Sequence, residues 1–448
     1  LLGKAPKPPQ PLVEDFATRQ RQARSIAKAA ILHEAPARAT TRSIDRLVLH
    51  PIGGPVILAM LLFVMFQAVF AWATPFADRI DAAVSLVHDA ALEALPPGTV
   101  RSFVADGLIA GVGAVIVFLP QILILFAFIL ILESTGYMVR AAFLMDRLMA
   151  SVGLSGRAFI PLLSSFACAV PGIMATRTIE DPKDRLTTIL IAPLMTCSAR
   201  LPVYAVIIAA FVPARDLWPG VGLQGLVLFG LYVGGILGAL LAAHALRRTV
   251  TKGNGMGFMI EMPRYQLPIL SNLLLGLWQR AWVFLKRAGT IIAVTTMLLW
   301  VLLNFPRVDP ASGVSQVDHS IAGRVANGLA VVVEPIGFNR DISLALIPAM
   351  AAREVAVSAL ATTYAIDDKD EAKRDQTLGE RLKSSWSLPT ALAFLVWFVF
   401  APQCISTIAV VRRETNGWRW PLFMVAYLFA LAYVAAGATF WLATYFGL

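Results

Sequence analysis

Two cysteines, each inside an apolar run and each followed closely by a proline, restrict this chain more than any other feature. From Pro161 to Tyr204 the sequence reads PLLSSFACAVPGIMATRTIEDPKDRLTTILIAPLMTCSARLPVY. Proline has no N–H to donate, so within a helix it frees the carbonyl four residues back. A helical Pro171 would free the carbonyl of Ala167, beside Cys168. Pro202 would free that of Ser198, beside Cys197. At membrane depth such a break is tolerated only where protein buries it or it lines a cavity. Paired broken helices are also how many transporters build ion sites near the midplane. A thiol beside a free carbonyl is then a cation ligand set. For a single pair, a packing kink with a small core cysteine explains as much. Two pairs flanking the charged turn Thr176 to Arg185 favour a site.

The membrane setting follows from composition. Of 448 residues, 58% are hydrophobic and 15% charged, whereas soluble domains are nearer half apolar and roughly a quarter charged. The chain therefore reads as an all-α, polytopic helical membrane protein with broken or re-entrant helices. Its net charge of +10 fits basic loops facing the cytoplasm and anionic lipid. Nucleic-acid binding is disfavoured, because the basic residues flank spans and form no long block. Three cysteines, all in apolar segments, make no disulfide framework. The first residue is Leu and no signal peptide follows, so the start reads as a cut end.

Residues 1–50 read as a cytoplasmic linker, Pro-rich and then basic, with Arg42 and Arg46 placing the N-terminus inside. Residues 51–132 carry two spans, about Gly54–Trp72 and Leu108–Leu132, the second bent at Pro120. Between them Ile80, Val84, Val87 and Ala91 outline an amphipathic helix lying on the outer surface. Residues 133–250 form a first module. It opens with ESTGYMVRAAFLMDR, where Glu133, Arg140, Asp146 and Arg147 suit either internal ion pairs or a place in an ion path. Phe159–Ala175 is short enough for a half-span, Leu186–Phe211 crosses, and Val221–Leu246 returns with Gly230, Gly234, Gly235 and Gly238 suited to close packing.

Residues 251–287 are basic and cytoplasmic, ending in an interfacial helix over Trp278–Lys286. Residues 288–365 form a second module, in which Arg353 and Glu354 interrupt an apolar helix. Residues 366–448 hold a mixed-charge loop, Asp367–Lys383, and the last spans, Leu388–Val411 and Trp420–Tyr445. Alternation of spans puts Arg412, Arg413 and Arg419 outside, while the charge rule puts them inside. VGLSGRAFIPLLSSFACAVPGIMAT and IGFNRDISLALIPAMAAREVAVSALAT share the order of their parts. This weak repeat puts Cys168 and the Arg353–Glu354 pair in comparable positions, with a site expected between two pseudo-symmetric halves.

ESTGYMVRAAFLMDR, LLSSFACAVPGIMATRTI, APLMTCSARLPVYAVI, FLKRAGTIIAV, REVAVSALATTY and IAVVRRET, in this order, resemble the membrane region of FeoB-type ferrous iron transporters, from about Arg42 to the C-terminus. The resemblance implies two Gate, or nucleoside-recognition, modules and Fe2+ import across a bacterial inner membrane. It also implies an N-terminal GTP-binding domain, with GTP and Mg2+ bound and GTPase activity only there. No GxxxxGK[ST] motif occurs in these residues, so the native chain is expected to be longer, with no enzyme in the part given. A small cytoplasmic accessory protein and a homo-oligomer are the partners the resemblance suggests, besides the lipid bilayer. Where the family carries Gly-Cys-(Asn/Ser)-Val-Pro-Ala, this chain has Ala167-Cys168-Ala169-Val170-Pro171-Gly172, which removes a side-chain ligand at position 169. The family's third cysteine directly follows a proline; here Gln403 separates Pro402 from Cys404.

Fe2+ accepts thiolate, thioether, carboxylate and carbonyl donors. Cys168 and Cys197 are the leading ligands, with Cys404, Met174, Met195 and Glu354 as further metal-site candidates. A methionine in an apolar helix is as readily a core filler. Ligation must stay labile, because a closed tight site traps the ion. Arg200, three residues after Cys197, is expected to pair with Glu354 or Glu133 and to act in gating or in holding the halves together; Arg353 and Asp146 share that expectation. A nucleoside or small-solute permease is the alternative within membranes, but the breaks lack the aromatic and amide residues a base and ribose need. A membrane-embedded thiol or metal enzyme is the alternative from another class. It wants clustered histidines or paired carboxylates, and the five histidines are scattered.

Overall fold

The computed structural model describes residues 21–26, 29, 39–218, 221–252, 262–307, 319–351, 353, 356–357, 359–360, 364, 371–402 and 404–447. The chain divides at His50 into a small N-terminal unit and a membrane unit from Pro51 onward. The first contains helix α1, Ala39–Val48.

In the membrane unit, α2 (Gly53–Gln67) runs through a π turn at Ala68–Trp72 toward α3 (Thr74–Ala94). A long helix, α4 (Thr99–Ser134), follows. Pro120 falls in the first turn after a break at Phe118, where its missing N–H costs nothing. The amphipathic helix expected between the first two spans is α3, and it packs on α4. Gly113 leaves room for Val84, whose methyl would overlap any added Cβ. One turn on, His88 Nε2 is 3.1 Å from Asp106 Oδ1. The packed face is thus Ala77, Val84 and His88, at helical spacing.

Two bent helix pairs give the fold its repeat. Helix α5 (Tyr137–Ser151) turns into Gly156–Phe166 at 113°, and Ile321–Ile336 turns into Arg340–Met350 at 112°. Each bend holds a glycine in the left-handed region, Gly153 at φ +82° and Gly337 at φ +81°, a conformation glycine adopts without strain. The second arm of the first pair contains α6 (Phe159–Ala167), and α7 (Ala169–Ala175) follows it. Next come α8 (Pro182–Ile191), α9 (Leu201–Phe211), a two-stranded antiparallel pair (Asp216–Trp218 with Val221–Gly222) and α10 (Leu223–Thr249).

Helix α11 (Leu270–Phe284) continues through a π turn at Leu285–Gly289 into α12 (Thr290–Asn304). The separate interfacial helix expected over Trp278–Lys286 is therefore part of one long rod, and α11 packs along α4. The second bent pair supplies α13 (Ile321–Val333) and α14 (Arg340–Ala351). The expected loop at Asp367–Lys383 is largely helical, as α15 (Glu371–Ser385). Leu378 and Leu382, four apart, are fully buried there, so one apolar stripe overrides a charged composition. The chain ends with α16 (Leu388–Phe400), α17 (Ile405–Glu414) and α18 (Arg419–Tyr445).

Among the described residues, four helical stretches are long and apolar enough to cross a membrane, or up to six if each bent pair counts as one. Among the described residues, two large apolar cores and a smaller one around Met65, Val69 and Leu125 lie between the helices. One large core gathers Leu162, Ile173, Leu190, Met195 and Val411. The other large core gathers Tyr204, Ile342, Phe394 and Phe398. Helix α18 belongs to both, with Met424 and Leu428 in the first and Ala432 and Ala436 in the second. Of the five α10 glycines, Gly235 and Gly238 are the close contacts, against Thr196 and Leu194 and against Phe400, while Gly225, Gly230 and Gly234 face open space.

Candidate functional site

Each cysteine occupies a helix interruption. Cys168 is a single extended residue (φ −155°, ψ 131°) between α6 and α7. Its N–H donates to Ser164 at 3.2 Å, and its carbonyl accepts from Gly172 at 3.4 Å. Cys404 has the same form (φ −163°, ψ 105°) at the start of α17. Cys197 lies between the 3-10 turns Ala192–Leu194 and Ser198–Arg200, and its carbonyl accepts from Arg200 N–H at 3.1 Å.

The prolines do not act as the sequence implied. Pro171 is the third residue of α7, and Pro202 stands in the first turn of α9. A first-turn N–H has no intrahelical partner in any case. The chain breaks at the cysteine itself, and Ala167 simply ends α6. Gly172 is required next to the first break, because a Cβ there would overlap the Ser165 hydroxyl and come within 2.8 Å of the Pro161 carbonyl.

The depth of the breaks follows from helix geometry. Cys168 opens α7 and Cys404 opens α17, two helices in contact. Their far ends are tied by Arg177, just after α7, and Glu414, the last residue of α17. Nη2 meets Oε1 at 2.6 Å, and Nε meets Oε2 at 2.9 Å. The helices therefore run side by side in the same sense. The ten residues of α17 span about 15 Å at ~1.5 Å per residue. That is roughly half the thickness of a ~30 Å hydrocarbon layer, so Cys404 lies that far along the bundle from the level of Glu414.

Cys168 and Cys404 thus open helices that pack on one another, and a side chain of the second module reaches Cys197. Arg353, 4% exposed, donates from Nη1 to Cys197 Sγ at 3.4 Å. It lies in a turn beyond α14, at the second module's own interruption. Arg200 is fully buried and donates to the Pro193 carbonyl at 3.0 Å and to Thr196 Oγ1 at 3.5 Å. Tyr204, also fully buried, joins this cluster with Tyr232.

Other expected residues are placed elsewhere. Glu133 does not meet Arg200; it pairs with Arg280 at 2.9 Å on an exposed face. Asp146 accepts from Gly156 N–H at 2.8 Å and so caps the bend before α6. Met195 is 5% exposed in the first core, while Met174 is half-buried on α7. Glu354 lies outside the described residues. Among the described residues, no three His, Cys, Asp or Glu side chains are grouped closely enough to hold a metal ion.

The sequence reading missed the ion pairs that fix one end of the bundle. Glu414, nearly buried, also accepts from Arg185 at 2.9 Å. Asp184 pairs with Arg247 at 3.0 Å, both buried. An acid directly after two arginines at the end of an apolar run was the available signal. The Glu414 carboxylate, by hydrogen bonding, holds the Arg177 guanidinium above its ordinary pKa. The same contacts settle the relative sidedness of Arg412 and Arg413, which flank Glu414 on the side of the charged turn.

Two bent helix pairs of nearly equal angle, together with helices long and apolar enough to cross a bilayer, define a polytopic helical membrane protein. The family model for nucleoside recognition (Gate) matches residues 115–211 and 285–418. The model for the ferrous iron transport protein B C terminus matches residues 228–280. The chain belongs to the FeoB family. It is 43% identical over 404 residues to the Fe(2+) transporter FeoB of Leptospira interrogans serovar Lai, covering 87% of this chain and 58% of that protein. It is 38% identical to the Fe(2+) transporter FeoB of Staphylococcus aureus strain COL, over 87% of this chain and 57% of the relative. A Porphyromonas gingivalis protein named as a fusion of Fe(2+) transport protein A with the transporter is 36% identical, over 88% and 51%. The chain thus spans between half and three-fifths of these relatives' length. No solved structure matches it.

Proposed function

We propose that this chain forms the conducting part of a ferrous iron importer in a bacterial inner membrane, with its N-terminus in the cytoplasm. The observation that carries the reading is that each of the three cysteines stands at a helix interruption, two of them at the starts of helices that pack on one another, so that they can serve the ion in turn. A dication entering the hydrocarbon layer loses water, and the path must replace those donors. A metal-bound thiol is deprotonated, which offsets the ion's charge locally. Cys168, Cys197 and Cys404 are the transient ligands, with Met174 as a soft donor beside the first break and Glu354 as an acid from the second module. Met195, in the core, contributes packing. Arg200 and Arg353 act in gating. Asp146 holds the bend that positions α6.

The names of the relatives support Fe2+ as cargo. A GTP-binding domain using Mg2+ and an accessory protein of the uptake system are the partners we assign to the full-length protein; the Porphyromonas fusion supports the latter. The test is radio-iron uptake by cells lacking a ferrous importer and supplied with the full-length protein. Uptake is expected to be lost in Cys168→Ser and Cys197→Ser and strongly reduced in Cys404→Ser. Full uptake in all three would remove the thiols from the path. Failure of the wild type to move iron would remove the cargo.

A further inference from the structure

A cavity of about 610 Å3 lies beside the first break, enclosed by α4, α5, α6, α7, α11 and α17. Its inner wall is made by Ser164, Val170, Pro171 and Met174, which bracket Cys168 on both sides. Its other end reaches Glu133, Arg280 and Glu414, the residues whose ion pairs mark the level of the charged turn. One space therefore extends from the residues on either side of Cys168, which does not itself line it, to the level of Glu414, between walls that are mostly apolar.

We infer that this cavity is an aqueous vestibule through which a hydrated divalent cation passes between Cys168 and the side bearing Arg177, Lys183 and Arg185. The inference rests on the reading of the chain as a cation conduit and adds the route. Intramembrane cavities with polar groups at one end and a soft donor at the other suit an ion that exchanges water for sulfur as it moves inward. Met174 is the donor on that wall. At the outer end Arg280 is neutralised by Glu133, and Arg157 by Glu180 at 2.7 Å. Arg413 also lines that end, so attraction arises from the sulfurs deeper in, and the ion crosses the mouth still hydrated.

The experiment measures access and not transport. Met174→Cys, Ser164→Cys and Gln279→Cys are placed singly in full-length protein carrying Cys168→Ser, Cys197→Ser and Cys404→Ser. Each is treated with a membrane-impermeant cationic methanethiosulfonate in right-side-out and inverted vesicles. Lys183→Cys reports the side, and Phe229→Cys, on the outward face of α10, is the control. Complete modification from the Lys183 side only, lost when Cd2+ is present, is expected for Met174→Cys and Ser164→Cys, with Phe229→Cys unmodified. Modification by a lipid-soluble maleimide alone would mean the space holds acyl chains, and modification only from the opposite side would reverse the route; either overturns the inference. If the background does not fold, wild-type Cys168 is labelled and the adduct located by mass spectrometry, with the same outcomes. Labelling is independent of which cation is carried, so loss of the iron reading leaves this result standing.

Discussion

Arg177 and Glu414, 237 positions apart in sequence, meet in a bidentate pair whose shorter contact is 2.6 Å. That contact joins the two modules at one level and fixes how far the cysteines at the other ends of α7 and α17 lie from it. Glu414→Gln removes the charge that holds Arg177 and Arg185. Because both arginines keep partial access to solvent, the expected cost is about 1–3 kcal/mol. A lowered melting temperature in detergent, partly restored by adding Arg177→Gln, would show it.

The Arg177 guanidinium is held above its ordinary value by the Glu414 carboxylate. A raised folded-state value means its contribution is complete below the unfolded value and is lost only above the folded one. Raising pH from roughly 7 to 10 stays well below the ordinary arginine range, so Glu414→Gln should destabilise the protein equally at both. A destabilisation that fades by the upper pH would contradict the assignment.

Arg353 uses a lone pair of Cys197 that a metal would need. Arg353→Gln should therefore remove the cation that favours the reactive thiolate of Cys197. With Cys168→Ser and Cys404→Ser present, alkylation of Cys197 by N-ethylmaleimide should slow about fivefold, the equivalent of one hydrogen bond near 1 kcal/mol. An unchanged rate would leave Arg353 no part in activating the thiol.

Two methionines offer a paired comparison. Met174→Leu keeps volume and removes the thioether next to the cavity, so iron uptake should fall with stability nearly unchanged. Met195→Leu should alter neither, while Met195→Ala, in the buried core, should cost about 2–5 kcal/mol. Uptake assays and melting curves on the same preparations separate the two roles.

Gly235 backs the stretch that leads to Cys197. An added Cβ comes within 2.7 Å of Thr196 Oγ1 and 3.1 Å of the Leu194 carbonyl. Gly235→Ala should cost about 1–3 kcal/mol by overpacking and reduce uptake. Gly230→Ala meets nothing within 4 Å and should gain up to ~1 kcal/mol of helix propensity. Equal melting temperatures for the two variants would argue against the packing shown.

The cysteine-centred breaks and the doubled module were legible because prolines and small residues interrupt long apolar runs. The position of each break was not. Proline reads as a helix breaker, yet Pro171 and Pro202 begin helices, where a missing donor is harmless. The rod from α11 to α12 was obscured by Lys286 and Arg287, which looked like a membrane boundary; a π turn carries the helix past them. Local charge also hid α15, whose buried Leu378 and Leu382 depend on partners distant in sequence. Glu414 drew no attention because its arginine partners belong to the other module.

Helix α18 contributes one stretch to each large core, so neither module can swing as an independent rigid body without tearing apolar contacts from a common spine. Movement that admits an ion from first one face and then the other has to be concentrated at places with few packed neighbours and soft dihedrals. The extended backbone at Cys168 and at Cys404 meets that need. The atoms assigned to grip the cargo therefore also sit at the pivots, and loading the sulfurs would itself alter the angle between the half-helices.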